Sequence, residues 1–388
     1  AGMAELQLRL SLLRLLLMVS AGASNGLGIH GLQRGAVLST RTIARAPTAC
    51  SSEAMAVRAP LRMLGPYTAL ALTFPKLATA EQRARGDAGV SLDFVVDTAA
   101  NVNTISAQVA RDLDLATVGT QPGGVGAGGA LAGGTTYMLG ECELGDLPKE
   151  ERFALMSGLT ASALPVASPS GAGLLGAAFL FAFRGGVEFD WGSSGDASGT
   201  SSTANAATQA ASVPSLTLFG DTRGSERLAK GLCEVPAQQL PESGLVSVDL
   251  TVNGVDVPAL LDTGSPITVL NAAAARAARL EMPLAEATTL NPFQAAKAAL
   301  ETARLMATGE LTMIGGKDGP IRLRKIAQKA SIALGDAQMG EGRPYVGELP
   351  GLAALGGLGA EAGPAAVLGT DVLRQRRRLV LRDGKVYV

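Results

Sequence analysis

From Leu245 to Val257 apolar and polar side chains alternate, as Leu245-Val246-Ser247-Val248-Asp249-Leu250-Thr251-Val252-Asn253-Gly254-Val255-Asp256-Val257. A period of two suits strands with one buried face, and Asn-Gly between two such runs predicts a hairpin. Its second arm continues through Pro258-Ala259-Leu260-Leu261 to Asp262-Thr263-Gly264-Ser265, and Pro266-Ile267-Thr268-Val269 leaves that turn. A buried strand therefore delivers a carboxylate onto a tight turn, and a second apolar run departs from it. Placing an Asp between buried strands costs free energy unless hydrogen bonds hold it, which points to chemistry. The plainer alternative is an Asx turn joining two strands, since Asp-Thr-Gly alone is common.

A second copy of the pattern favours chemistry. Leu92-Asp93-Phe94-Val95-Val96-Asp97-Thr98-Ala99-Ala100-Asn101-Val102-Asn103-Thr104-Ile105 carries its Asp at 97, an offset of 165 from 262. With the two Asp residues aligned, Val95-Val96 falls on Leu260-Leu261 and Thr98 on Thr263. The match extends to Val90 on Val255, Ser106 on Asn271, Arg111 on Arg276 and Leu115 on Leu280. Ser106 and Asn271 are good N-cap residues, each able to open a short helix. Repetition of this kind predicts two similar lobes, each bringing one Asp. Later in each lobe come two apolar residues and a Gly, Leu174-Leu175-Gly176 and Val367-Leu368-Gly369. The endings are also alike: Phe179-Leu180 then Val187-Glu188-Phe189-Asp190, and Val372-Leu373 then Leu379-Val380-Leu381.

On these residues the chain from about 88 to 388 resembles the aspartic proteases, in particular the retropepsin-like group, with two such domains fused. The resemblance implies a mainly β, bilobal aspartic-protease fold of two pseudo-twofold related retropepsin-like β-barrels. It makes Asp97 and Asp262 the catalytic pair of an aspartic endopeptidase. Two carboxylates sharing one proton can activate a water and polarise a peptide carbonyl, and such a pair titrates as a unit. By the same resemblance the hydroxyls of Thr98 and Thr263 would tie the two loops together from behind. Gly264 would give the second loop its tight backbone, and Ser265 would hydrogen-bond Asp262. Ala100, the counterpart of Ser265, offers Asp97 no donor, so Asp262 is expected to be ionised and Asp97 to hold the proton. The departure from the family is Ala99, where Gly is usual; a methyl is tolerable there only if φ stays negative.

Elsewhere the pattern sets boundaries. Tyr67-Thr68-Ala69-Leu70-Ala71-Leu72-Thr73-Phe74 reads as a strand leading toward Asp97. Pro122-Gly123-Gly124-Val125-Gly126-Ala127-Gly128-Gly129 is a mobile loop or hairpin; a phosphate cradle is a weaker alternative, since no Lys follows. In the family a Gly-rich flap closes over the bound peptide at about this place, which makes Gly126, Gly128 and Gly129 candidate substrate-binding positions. Phe153 to Phe183 lacks charge; its prolines favour a buried β-strand over a membrane helix. Phe293 to Met306 could form an amphipathic helix. The Arg374-Gln375-Arg376-Arg377-Arg378 cluster reads as a solvated turn, and Arg382-Asp383-Gly384-Lys385 closes a terminal hairpin. The expected layout is a removable targeting segment over 1–62, a first lobe over 63–191, a flexible linker over 192–240 and a second lobe over 241–388.

Within the first segment, Leu12-Leu13-Arg14-Leu15-Leu16-Leu17-Met18-Val19 resembles a signal-peptide core, and the following Arg34, Arg41, Arg45, Arg58 and Arg62 against Glu53 resemble a transit peptide. A plastid reached through that leader is the expected location, with the secretory pathway or mitochondrion as alternatives. A simple disordered tail is the bland reading.

Composition narrows the chemistry. The net charge of −1 gives no general affinity for nucleic acid. The one histidine, His30, lies in the expected leader, which disfavours Ser-His-Asp and Cys-His catalysis and removes the commonest zinc ligand. Cys50, Cys142 and Cys233 are too scattered for a disulfide framework or metal cluster. No cofactor or metal is expected. The expected partner is a peptide or protein substrate, with no stable membrane span and a monomeric chain. Two further readings are a peptide-binding protein with an inactive cleft and a membrane-anchored non-enzyme.

Overall fold

A computed structural model of the chain describes residues 56–86, 89–147, 153–164, 171–192, 213–221, 228–281, 300, 302–314, 321–359 and 363–388. The hairpin predicted around Asn253-Gly254 forms, between strands Val246–Val252 and Val255–Leu261. Both turn residues adopt positive φ, 49° and 79°, as a type I′ turn requires. The terminal hairpin around Asp383-Gly384 is built the same way, with φ of 51° and 73°.

Each Asp strand sits in the same neighbourhood. Val90–Val96 lies parallel to Gly173–Leu175, which runs antiparallel to Thr104–Ile105. Val255–Leu261 lies parallel to Ala366–Leu368, which runs antiparallel to Val269–Leu270. A further parallel partner, Met156–Ala163 or Tyr345–Val346, completes each set. The register is equivalent: Leu175 opposes Val96, and Leu368 opposes Leu261. Two mainly β lobes with one topology are the outcome, an eight-stranded and a ten-stranded sheet among the described residues. The expected caps also form. Ser106 accepts from the Gln108 amide at 3.3 Å, and Asn271 from the Ala274 amide at 2.8 Å.

A six-stranded sheet joins the lobes. Its centre pairs the equivalent end strands antiparallel, Val187 with Leu381 and Phe189 with Leu379. These four side chains are buried, in an apolar core that runs continuously through both lobes. Such burial is the main favourable term holding the lobes together.

Three expectations need correction here. The linker expected over 192–240 is interrupted, because Ser215–Phe219 forms a strand between Ala56–Pro60 and Gly186–Asp190. Its Ser-Leu-Thr-Leu-Phe alternation is short, and the polar run before it masked the signal; residues 193–212 and 222–227 lie outside those described. The segment expected to be removable, 1–62, overlaps the fold. Ala56–Pro60 is a paired strand, Arg58 donates to Ser215 Oγ at 2.8 Å, and Arg62 pairs with Asp93 at 2.9 Å and with Asp146. Two arginines counted toward targeting composition therefore serve the fold, while residues 1–55, including His30, lie outside the described residues.

The third correction concerns the arginine cluster, which bridges the lobes. Arg377 and Arg378 pair with Asp190 and Glu188 across the joining sheet. Arg374 lies 5.4 Å from the Trp191 ring and donates to Thr68 Oγ1 at 2.6 Å. For the uncharged run, Met156–Ala163 is a strand, residues 165–170 lie outside the description, and no described helix is long and apolar enough to cross a membrane. The helix expected from Phe293 falls partly outside as well, though residues 302–307 are helical.

Phe189 is fully buried at the lobe junction and stacks on Trp191 with ring centroids 5.1 Å apart. Phe189→Ala should lower unfolding free energy by about 3–5 kcal/mol in chemical denaturation. Val118→Ala, at a half-exposed site, should change it by less than about 0.5 kcal/mol.

Candidate active site

Asp97 and Asp262 each leave a strand whose last residues are buried, and each is pinned by its own main chain. The Asp97 amide donates to Leu175 O at 2.9 Å, and the Asp262 amide to Leu368 O at 3.0 Å. Here the apolar-apolar-Gly motifs show their purpose. A Cβ on Gly176 would stand 2.4 Å from Ala100 O, and one on Gly369 would stand 2.3 Å from Ile267 O. The Asp loops pass so close that no side chain fits between.

Two residues that the sequence reading did not single out complete this arrangement. Gly176 donates its amide to Asn103 Oδ1 at 3.0 Å, and Gly369 donates to Thr268 Oγ1 at 3.0 Å. Asn103 and Thr268 obey the same offset as the two Asp residues, so the internal alignment contained the signal. Their different side chains hid it.

Behind the carboxyls, the threonines exchange hydrogen bonds reciprocally. The Thr98 amide donates to Thr263 Oγ1 at 3.1 Å, and the Thr263 amide to Thr98 Oγ1 at 3.0 Å. Each hydroxyl then donates across the interface, Thr98 to Leu261 O at 2.7 Å and Thr263 to Val96 O at 2.8 Å. Both side chains are buried. This is the tie expected of them, and it fixes one loop against the other.

In front, the structure brings the two carboxyl groups within reach of one another. Asp97 accepts from the Ala99 amide at 2.8 Å and also from Ala100. Asp262 accepts from the Ser265 amide at 2.8 Å and also from Gly264. Both residues are half-buried. Burial raises the pKa of both, and the charge of Asp97 raises Asp262 further.

The side-chain donor expected for Asp262 is directed elsewhere. The Ser265 hydroxyl donates to Ile267 O at 2.7 Å, so only its amide serves Asp262. Without the extra donor, Asp262 has no advantage as the ionised partner.

The role expected of Gly264 also changes. Its φ is not positive; instead a Cβ there would lie 2.4 Å from Asp97 Cγ. The second loop is packed onto the opposing carboxyl, which only a residue without a side chain permits. Ala99 meets the condition set for it. Among the described residues, positive φ outside glycine is confined to Asp114, Asn253, Arg279 and Asp383, and the Ala99 methyl packs on an apolar cluster made of Ala177 from its own lobe and second-lobe residues such as Leu352 and Leu355.

Gly126, Gly128 and Gly129 fall in a separate two-stranded hairpin, Gly124–Gly126 with Gly129–Leu131, with Gly128 in its turn. Tyr67 is another residue missed from sequence. It is half-buried, and its hydroxyl pKa is raised by burial and by the charge of Asp262. Cys142, buried in the first lobe, has its thiol pKa pushed up to about 12 by burial, so it is no nucleophile.

Comparison with known proteins agrees with this geometry. Residues 248–372, most of the second lobe, match the profile of a family described as aspartyl protease. No curated protein matches the chain. Among solved structures, basic 7S globulin from soybean aligns at 12% identity over 86% of this chain and 95% of its own, with a TM-score of 0.38. Conglutin gamma from lupine seeds aligns at 11% over 86% and 95%, and edgp at 12% over 87% and 95%, both also with a TM-score of 0.38.

The shared proton carries a pH signature. An Asp whose folded pKa exceeds its unfolded value binds more protons folded than unfolded between the two, so it lowers stability as pH rises through that window. Asp262→Asn keeps the shape, can still accept from Ser265 and removes the charge. It should raise Tm by at least about 2 °C at pH 7, and the gain should vanish below about pH 4, the range of an unfolded carboxyl. Thermal melts at the two pH values check this; an equal shift at both would contradict it.

Proposed function

We propose that this chain is an aspartic endopeptidase in which Asp97 and Asp262 activate a water against a peptide bond. The observation that carries the reading is the pair itself. Two carboxyl groups lie within reach of one another, each accepts backbone amides, and both stand on loops locked by reciprocal threonines. A fold needs no such pair, because two carboxyls forced together lose solvation and repel. Hydrolysis without metal or covalent intermediate needs this combination of one ionised and one protonated carboxyl.

In the mechanism proposed, ionised Asp97 takes a proton from a water held between the carboxyls. Protonated Asp262 donates to the carbonyl oxygen as the water oxygen bonds to carbon, giving a tetrahedral intermediate. When the C–N bond breaks, the amine leaves with the proton that Asp97 accepted, Asp262 takes back its proton from one hydroxyl of the intermediate, and the carboxylic acid product forms. The amides of Ala99 and Ala100 hold Asp97 ready for its charge, so little reorganisation accompanies the transfer. The threonine tie keeps both carboxyls in one orientation while protons move.

Hydrolysis of a quenched peptide library by the full chain, with and without a statine-type inhibitor, tests the reading. Asp97→Asn and Asp262→Asn should each lower turnover by about 10²–10⁴-fold without unfolding the protein. Inhibitor binding with no turnover by the parent chain would leave a peptide-binding cleft instead.

The two turn positions should respond differently. Gly264→Ala pushes a methyl into the Asp97 carboxyl and should cost about 10²-fold in kcat, whereas Ala99→Gly relieves no clash and should stay within about threefold. Equal losses at both positions would refute the close-approach argument.

A further inference from the structure

The hydroxyl of Thr268 has two tasks. It accepts the Gly369 amide at 3.0 Å, and it donates its own proton to Asp371 Oδ1 at 2.6 Å. Gly369 is the residue on which the Asp262 loop rests, so whatever fixes Thr268 also fixes the support beneath that loop. Thr268 is buried, and a hydroxyl has one proton to give. Without Asp371 that proton would be an unsatisfied buried donor, and the lone pair facing the Gly369 amide would no longer be oriented from the other side.

Asp371 is held in its turn. It stands on the short helix Thr370–Leu373 that follows the glycine, and the same Oδ1 accepts the Val372 amide at 2.9 Å. The charge of Lys325 favours its ionised form. Its neighbour Thr370 adds a second tie to the Asp262 turn, donating to Ser265 O through its amide at 2.9 Å and its hydroxyl at 3.2 Å.

The first lobe is built differently at these positions. Asn103 stands where Thr268 does, but its carboxamide needs no further side chain: Oδ1 takes the Gly176 amide, and Nδ2 donates to Thr160 O at 3.2 Å. The residues in the places of Thr370 and Asp371 are Ala177 and Ala178. The Ala177 amide still donates to Ala100 O at 2.7 Å, so the backbone bond is common to both lobes and the side-chain bonds belong to the second alone. The need also differs. A methyl on Ala99 braces the first turn against an apolar cluster, and Gly264 has no side chain with which to brace the second.

Resting on the reading of Asp262 as half of a hydrolytic pair, we propose that Asp371 is a positioning residue for the second Asp turn. It acts through Thr268, orienting the hydroxyl that holds the Gly369 amide, and its hydrogen bonds go to Thr268 and Val372 rather than to either Asp of the pair. The placement of Asp262 therefore depends on a third carboxylate, whereas the placement of Asp97 does not.

Hydrogen exchange at the Gly369 amide, with the Gly176 amide as internal reference, reports this role in the full chain without requiring turnover. In Asp371→Ala the amide at 369 should exchange at least about tenfold faster than in the parent, with 176 unchanged. Asp371→Asn keeps an Oδ1 for both donors and should return exchange to within about threefold of the parent. With a peptide substrate, Asp371→Ala should lower kcat about tenfold and leave KM within about twofold, and Asp371→Asn should recover most of that loss. Thr268→Val removes the hydroxyl, and in that background Asp371→Ala should cost less than about twofold more. Equal acceleration at 369 and 176, equal effects of the Ala and Asn variants, or additive losses in the double variant would overturn the proposal. A parent chain without turnover, whose amide at 369 is still released selectively by Asp371→Ala, would count against the peptidase reading while supporting the role of Asp371.

Discussion

Two half-buried carboxyl groups held against one another are the constraint on which the remaining structure depends. Each loses solvation, and each raises the cost of ionising the other. The chain answers with backbone: four amides, two from each turn, point at the pair. Amides on tight turns can do this only if the turns are rigid, and the reciprocal threonine bonds supply the rigidity from below. Removing a threonine hydroxyl would leave both a buried amide and a carbonyl of the opposite lobe without a partner, a larger loss than one hydrogen bond.

Close approach of main chain to main chain is the second theme. Gly176 and Gly369 let the Asp loops rest on them, and Gly264 lets one loop rest on the opposing carboxyl. None of these glycines is held at positive φ. They are required by what lies within reach of an absent Cβ, so the motif after each Asp strand is a packing device rather than a turn. The joining sheet works to the same end from further away. By pairing the equivalent strands after each Gly motif, it sets the distance between the lobes, and the arginines from 374 to 378 fasten it at the rim.

Much of this was legible in the sequence because it was written twice. The offset that relates Asp97 to Asp262 also relates Thr98 to Thr263 and Ser106 to Asn271, and these pairs have equivalent surroundings in the structure. Chemistry that tolerates substitution was harder to see. Asn103 and Thr268 make the same hydrogen bond to a glycine amide with unlike side chains, so only the alignment, not the residue types, could reveal them. The strand Ser215–Phe219 was lost beside a polar run, and Arg58 and Arg62 were read by composition when their partners lay 157 and 31 residues away. Ser265 failed for a local reason. A hydroxyl three residues after an Asp can reach either the carboxyl or a nearby carbonyl, and here Ile267 O captures it.

The lobes differ most where they would be expected to agree, at the third residue of each turn. Gly264 abuts Asp97, while Ala99 directs its methyl into the apolar cluster that also receives Val125 and Ala127 of the hairpin. A strict twofold pair would place glycine at both positions and leave that cluster without this contact. The methyl instead couples the first Asp turn to the surface on which the hairpin rests. Departure from symmetry at residue 99 therefore does not mark a decayed turn. The backbone there is unstrained, the amide still serves Asp97, and the added carbon packs on an apolar cluster that Val125 and Ala127 also meet.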